Sequence, residues 1–230
     1  MKKTILLLSY CIASVLHLTA QNKSTFEGVV KYDISFEDSG LPPEAVAMLK
    51  GAEIVLFMKP DKQRFDANMI MQNTSSIMDN KKKTMVTLMD IMGQKYLIKM
   101  NEEDVKKEQE SAPQTEIKYL DETKEIAGYK CKKAEVTIKN KGTEVMTMYV
   151  YYTEELPPTV MKPVYKGLKG CPLEYTLNTN GIKMKFTAKS VSKEAVPDTK
   201  FEIPKEGYKE ITMAEFQKEM TSQMQGGSTH

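Results

Sequence analysis

Apolar and polar residues alternate with a period of two along much of the chain. Val30, Tyr32, Ile34 and Phe36 alternate with Lys31, Asp33, Ser35 and Glu37. Tyr96, Ile98 and Met100 alternate with lysines, and Ala134, Val136 and Ile138 with Lys133, Glu135, Thr137 and Lys139. The same holds for Leu173, Tyr175 and Leu177, and for Ile182, Met184, Phe186 and Ala188. Successive side chains of a strand point to opposite faces, so each run predicts a strand with one apolar and one solvated face. Turn signals separate the runs: Lys59-Pro60-Asp61, Asp79-Asn80-Lys81, Met92-Gly93, Asn140-Lys141-Gly142 and Asn180-Gly181. Asn-Gly is a strong hairpin signal because both residues accept positive φ. The pattern predicts a meander of about ten mostly antiparallel strands.

Three segments break the alternation. Residues 42–51 open on two prolines and stop at Gly51, the start and stop signals of a helix. Asn101 to Glu110 is polar and fits either a short exposed helix or a loop. Thr212 with Glu215 three residues later reads as a capping box, followed by Met213, Phe216, Met220 and Met224 on one helical side. A sheet with one apolar face must cover it. The expected fold is therefore mainly β, a curved antiparallel sheet in half-barrel form with a few lid helices. Residues 111–115 read as a loop, which leaves one β domain over 21–211. A C-terminal helix over 212–224 and a disordered tail over 225–230 follow.

Residues 1–20 carry a basic start (Lys2, Lys3), an apolar stretch and a terminal Ala20, the layout of a cleaved secretory signal peptide. Removing them changes the charge picture. The chain has 33 Lys+Arg and 31 Asp+Glu, and Lys2 and Lys3 account for the whole excess. A neutral remainder with one arginine, Arg64, argues against nucleic-acid binding. Beyond His17 the only histidine is His230, so Ser-His-Asp, Cys-His and His-ligated zinc chemistry are not expected. Glu154-Glu155 is a poor acid/base pair, because adjacent strand residues diverge unless the chain turns there. No enzyme motif and no cofactor site is expected, and no membrane-spanning segment after cleavage. The turn Asp79-Asn80-Lys81-Lys82-Lys83 reads as a solvated tip or an anion contact.

The methionines are the open question. Met69/Met71 and Met146/Met148 are spaced by two, so each pair shares a strand face. They fit core filling, an adaptable apolar cavity, or soft ligands for Cu(I). No histidine accompanies them, so no metal site is assigned. Cys131 and Cys171 fit a disulfide in an oxidising compartment, or two buried thiols.

Residues 126–134 (Ile-Ala-Gly-Tyr-Lys-Cys-Lys-Lys-Ala), 151–157 (Tyr-Tyr-Thr-Glu-Glu-Leu-Pro) and 165–173 (Tyr-Lys-Gly-Leu-Lys-Gly-Cys-Pro-Leu) resemble GLPGLI-type envelope proteins and a related bacterial domain of unknown function. That domain looks like the LolA-like lipoprotein-carrier class, in which a curved sheet lidded by helices holds acyl chains. Residues 196–204 with Gly207-Tyr208 look like the closing strand of that class. Gly167-Leu168-Lys169-Gly170-Cys171 departs from Gly-Leu-Pro-Gly-Leu, and the motifs do not assign Arg64 to the carriers' lid arginine. The resemblance implies a periplasmic or secreted protein of a Gram-negative envelope that binds an apolar ligand, a lipid acyl chain or lipidated segment. Tyr32, Ile34, Met69, Met71, Tyr96, Ile98, Met146, Met148 and Val150 are the expected cavity lining. The alternative is a packed envelope interaction module with no ligand and an envelope protein as its partner.

Overall fold

A computed structural model describes residues 26–36, 46, 51–70, 72–139, 146–159, 165–179 and 182–226. The expected signal peptide, most of the 42–51 helix, Met71, and the Asn140 and Asn180 turns lie outside the described residues.

The described chain forms one open, curved sheet of twelve strands. The strands are β1 (Gly28–Ser35), β2 (Glu53–Met58), β3 (Lys62–Asn68), β4 (Gln72–Asp79), β5 (Thr84–Ile91), β6 (Gln94–Met100), β7 (Gln114–Ile126), β8 (Tyr129–Lys139), β9 (Met146–Thr153), β10 (Cys171–Thr179), β11 (Ile182–Ser192) and β12 (Lys209–Glu210). Their order is β12-β6-β5-β4-β3-β2-β1-β11-β10-β9-β8-β7. The topology is therefore two antiparallel meanders, β1–β6 and β7–β11, joined where β1 pairs with β11. The expected single meander is corrected on two counts: the seam is non-sequential, and β12 pairs parallel with β6.

Register assigns the faces. Val30 pairs with Leu56, Leu56 with Phe65, and Tyr32 with Ile54 and Ala188. Phe186 pairs with Tyr175, Tyr175 with Val150, and Val150 with Ala134. These residues share one face, the core face, and most are buried in the largest apolar cluster. The row Met78–Met85–Met100 and the pair Met89–Tyr96 continue that face over β4–β6. There they form a second cluster with Ile98, Val105 and Ile211. Gln63, Ser76 and Thr87 interrupt the apolar surface between the two lobes.

Two helices are found among the described residues. Helix α1 (Glu102–Ser111) takes up the segment the sequence left between helix and loop. Asn101 and Asp104 cap it reciprocally, and Val105, its one buried residue, anchors it on the second lobe. Helix α2 (Met213–Gly226) begins at the expected Thr212–Glu215 box: Thr212 N–H donates to Glu215 Oε2 at 2.8 Å, and Glu215 N–H to Thr212 Oγ1 at 3.2 Å. The Thr212 backbone N–H, and after it the Thr212 hydroxyl, which also donates to Glu215 Oε2 at 2.8 Å, hold the Glu215 carboxyl below its ordinary range. Met213, Phe216 and Met220 pack on the second lobe, and the Phe216 ring meets Tyr96 edge-on at 5.4 Å. The helix includes Gln225 and Gly226, which the sequence reading had placed in the tail.

The opposite face of β1–β6 is covered by a strap, residues 193–208. Val196 and Phe201 cover Val29, Val55 and Ile77, and Tyr208 covers Val86, Leu88 and Leu97. Polar contacts fasten it. Glu27 Oε1 accepts from Val196 N–H at 2.7 Å, and Lys59 Nζ donates to Val196 O at 3.1 Å and Asp198 Oδ1 at 2.7 Å. Arg64 Nη1 donates to Lys200 O at 2.6 Å, while its Nε holds Asp66 Oδ1 at 2.7 Å. After the strap, β12 runs beside β6, and α2 turns over that edge onto the core face.

Candidate functional site

The described members of the expected lining all lie on, or next to, the core face, but they do not meet in one cavity. Tyr32, Met148 and Val150 are buried in the first lobe, with Ile34 packed against it. Tyr96 and Ile98 are buried in the second lobe under α1 and α2. Met69 is half-buried where β3 turns into β4, and Met146 is exposed at the start of β9. Met58, Met78, Met89, Met100 and Met148 fill the interior as flexible apolar volume.

The first lobe centres on tyrosines. The Tyr175 ring stacks on Phe186 at 4.8 Å and meets Tyr165 and Tyr32 edge-on at 5.5 and 6.1 Å. Tyr32 OH donates to Pro172 O at 2.8 Å and lies 3.9 Å from Cys171 Sγ. Burial pushes the Tyr32, Tyr165 and Tyr175 phenols well above their ordinary range. Among the described residues, Tyr165 OH is the one buried side-chain polar atom without a hydrogen-bond partner. The space left among Tyr32, Leu56, Phe65, Thr159, Tyr165, Pro172 and Tyr175 is about 20 Å³. That volume holds about one water.

Cys131 and Cys171 are buried free thiols, which corrects the disulfide alternative. The reason is the strand order: Cys131 lies on β8 and Cys171 on β10, with β9 between them. Two strand spacings separate Cα atoms by about 9.5 Å, beyond the ~7 Å limit for a bridge. Burial raises the Cys131 thiol to about 11 and Cys171 to about 12. At pH 8 the thiolate fraction is then about one in a thousand or less. The folded chain beginning at Gln21 is expected to resist a thiol-specific chromogenic reagent at pH 8. Both cysteines should react once guanidinium unfolds it, with or without prior reductant; labelling of only the reduced sample would restore the disulfide.

Other sequence candidates are accounted for by surface contacts. Lys81 to Lys83 sit in the β4–β5 turn, where Asp79 Oδ1 accepts from Lys82 N–H at 2.8 Å and Lys83 pairs with Glu102. The chain does turn at Glu154-Glu155, and Glu154 pairs with Lys132 at 3.1 Å. Arg64 faces the strap, away from the core face on which a lid arginine would act. Among the described residues no group of three His, Cys, Asp or Glu side chains converges on a metal position. No described helix is long and apolar enough to cross a membrane.

The roomier clefts lie outside the core. One of about 740 Å³ runs between β6 and α2, past Tyr96, Lys209 and Glu219. Another, of about 380 Å³, lies between β9 and β10, and alternation within the strands does not reveal it. The β9–β10 ladder runs from Cys171–Thr153 to Tyr175–Val150 and ends there. Both strands continue, β9 back to Met146 alongside β8 and β10 on to Thr179 alongside β11. Met146, Thr147, Met148 and Tyr149 line one wall of the resulting slot; Thr176, Asn178, Lys183 and Lys185 line the other.

This geometry defines the class: a mainly β protein built on one open sheet, with a slot of mixed polar and apolar lining where two neighbouring strands part. A family model described as a domain of unknown function (DUF4412) matches residues 44–157, the stretch from just before β2 to the end of β9. No curated protein matches. Among solved structures, the crystal structure of MucB is similar over 80% of this chain at 8% identity, with a TM-score of 0.33. The match spans 59% of the MucB chain.

Proposed function

We propose that this chain is an exported, non-enzymatic binding module of the bacterial envelope that meets a protein partner at the surface of its sheet. The observation that carries this reading is the filled first lobe of the core face, as the described residues line it. About 20 Å³ remains beside Tyr165, whereas enclosed ligand sites occupy about 300 Å³ or more. The envelope address rests on the signal-peptide pattern of residues 1–20 and on the resemblance of residues 126–173 to envelope proteins. The non-enzymatic reading rests on the absence of histidine between His17 and His230.

A second reading keeps the carrier function of the LolA-like class, with an acyl chain held against the core face. The unpartnered Tyr165 hydroxyl favours it, since a ligand's polar head would satisfy that donor. Native mass spectrometry of protein purified from the envelope separates the two. The module reading expects the bare chain mass and no fluorescence gain with an apolar dye. A stoichiometric co-purifying lipid would overturn it in favour of the carrier.

A further inference from the structure

We propose that the slot between β9 and β10 is a docking site for an extended peptide, which adds its backbone between the two strands. The inference rests on the module reading and names the partner's chemistry. The ladder stops at Tyr175–Val150 while Met146–Tyr149 and Thr176–Thr179 remain strand. Carrying the register onward would place Tyr149 opposite Thr176 and Thr147 opposite Asn178, yet neither pair forms.

A strand in the middle of a sheet has backbone N–H and C=O groups pointing both ways. Along the slot one set has no ladder partner among the described residues. Donors and acceptors repeating every two residues match another strand's main chain, whereas an acyl chain has nothing to offer them. The outer edge is a poorer place for such a partner. Strand β7 carries Glu116, Lys118, Asp121, Glu122, Lys124 and Glu125, the charged blunting that discourages strand addition. Among the described residues, β9 and β10 themselves carry no charged side chain along the slot; Lys183 and Lys185, which also line it, belong to β11.

The walls also specify side chains. Thr147 and Tyr149 share the strap-side face with Thr176, Asn178, Lys183 and Lys185, because Thr176 pairs with Lys185 and Asn178 with Lys183. Met146, Met148 and Leu177 lie on the core-side face. Lys185 also lies 3.8 Å from buried Glu174, which Lys124 holds at 2.8 Å. Among the described residues, no carboxylate lines the slot itself. The fitting partner therefore alternates apolar residues toward the methionines with acidic residues toward the lysines.

The test uses the chain from Gln21 and an eight-residue peptide, Val-Glu-Thr-Glu-Val-Glu-Thr-Glu, with a lysine-for-glutamate version as control. Amide hydrogen exchange is followed with each. The acidic peptide is expected to slow exchange at 147–149 and 176–178, and salt should weaken its binding. Lys183→Glu should weaken it about tenfold with an unchanged melting temperature. Equal binding of the lysine peptide, or protection confined to β7 or β12, would overturn the slot while leaving a surface-binding module intact. No binding would likewise overturn the slot. A lipid bound in its place, seen as a mass adduct, would overturn both readings.

Discussion

Gly170→Ala is expected to destabilise the fold by about 3 kcal/mol, the upper end of ordinary overpacking costs. A Cβ at Gly170 would sit 1.9 Å from the Thr153 carbonyl oxygen and 2.6 Å from its carbon. Both are backbone atoms of β9, so no side-chain rotation relieves the clash. Either β9 and β10 separate at Cys171–Thr153, where their ladder begins, or the turn before β10 unwinds. Urea denaturation should show a lower midpoint at unchanged slope. Gly167→Ala is the control. Gly167 has a φ of +92°, but its nearest neighbour to a new Cβ is 3.9 Å away, so only backbone strain of about 1 kcal/mol is expected. Equal effects at the two glycines would refute the close-approach account. The Gly167-Leu168-Lys169-Gly170 element then has a structural meaning: the first glycine bends the chain and the second lets two strands touch.

Arg64→Ala is expected to cost about 3 kcal/mol at neutral pH, because it leaves a largely buried carboxylate without its cation. Arg64 and Asp66 side chains are 19% and 12% exposed, so solvent does little to replace the pairing. The substitution also frees the Lys200 carbonyl and removes the bond from Nη2 to Ser75 Oγ. At about 2–4 °C per kcal/mol for a chain of this size, the midpoint should fall by roughly 10 °C. Arg64→Lys should recover only part, since an ammonium lacks the planar fork that reaches three acceptors. Adding Asp66→Ala to Arg64→Ala should regain stability relative to Arg64→Ala alone. Full additivity of the two losses would show that the pair is not coupled.

The alternating strands were legible because their outward positions are mostly polar, as with Lys31 and Asp33 in β1 and Lys95 and Lys99 in β6, even where the strap covers part of that face. Strands β1, β6, β8, β10 and β11 therefore stood out. Strand β2 did not alternate: Ile54, Leu56 and Met58 enter the core while Val55 and Phe57 lie under the strap. A strand covered on both faces reads as a continuous apolar run. Strand β7 failed in the opposite way, because this edge strand is largely polar and nearly half charged. The strap was illegible because Val196, Phe201 and Tyr208 contact the sheet at irregular spacings with no helical or strand period. The cap of α2 was readable from the Thr212–Glu215 pair, whereas that of α1 was not read, since Asp104 stands there in place of the usual Glu or Gln.

At the candidate site, the face was legible and the void was not. Period two correctly grouped Tyr32, Tyr96, Ile98, Met148 and Val150, but it carries no information on what covers a face. Nor does it show which strands are neighbours, so the intervening β9 between Cys131 and Cys171 stayed hidden. The slot depends on where a ladder stops, which is a property of two strands jointly.

The seam between β1 and β11 also sets an order of events in biosynthesis. Val29 pairs with Ser192, so a nascent chain holds β1 with one flank unpaired until the chain has been made through β11. The strap comes later still, and until then Val29, Val55, Ile77, Val86, Leu88 and Leu97 have no cover on their outer side. Completion of this sheet is thus a late step, governed by long-range closure and exposed to aggregation while it waits. A product cut short before Val196 would keep eleven strands and all ten antiparallel ladders between them, and still present a bare apolar surface to quality-control proteases.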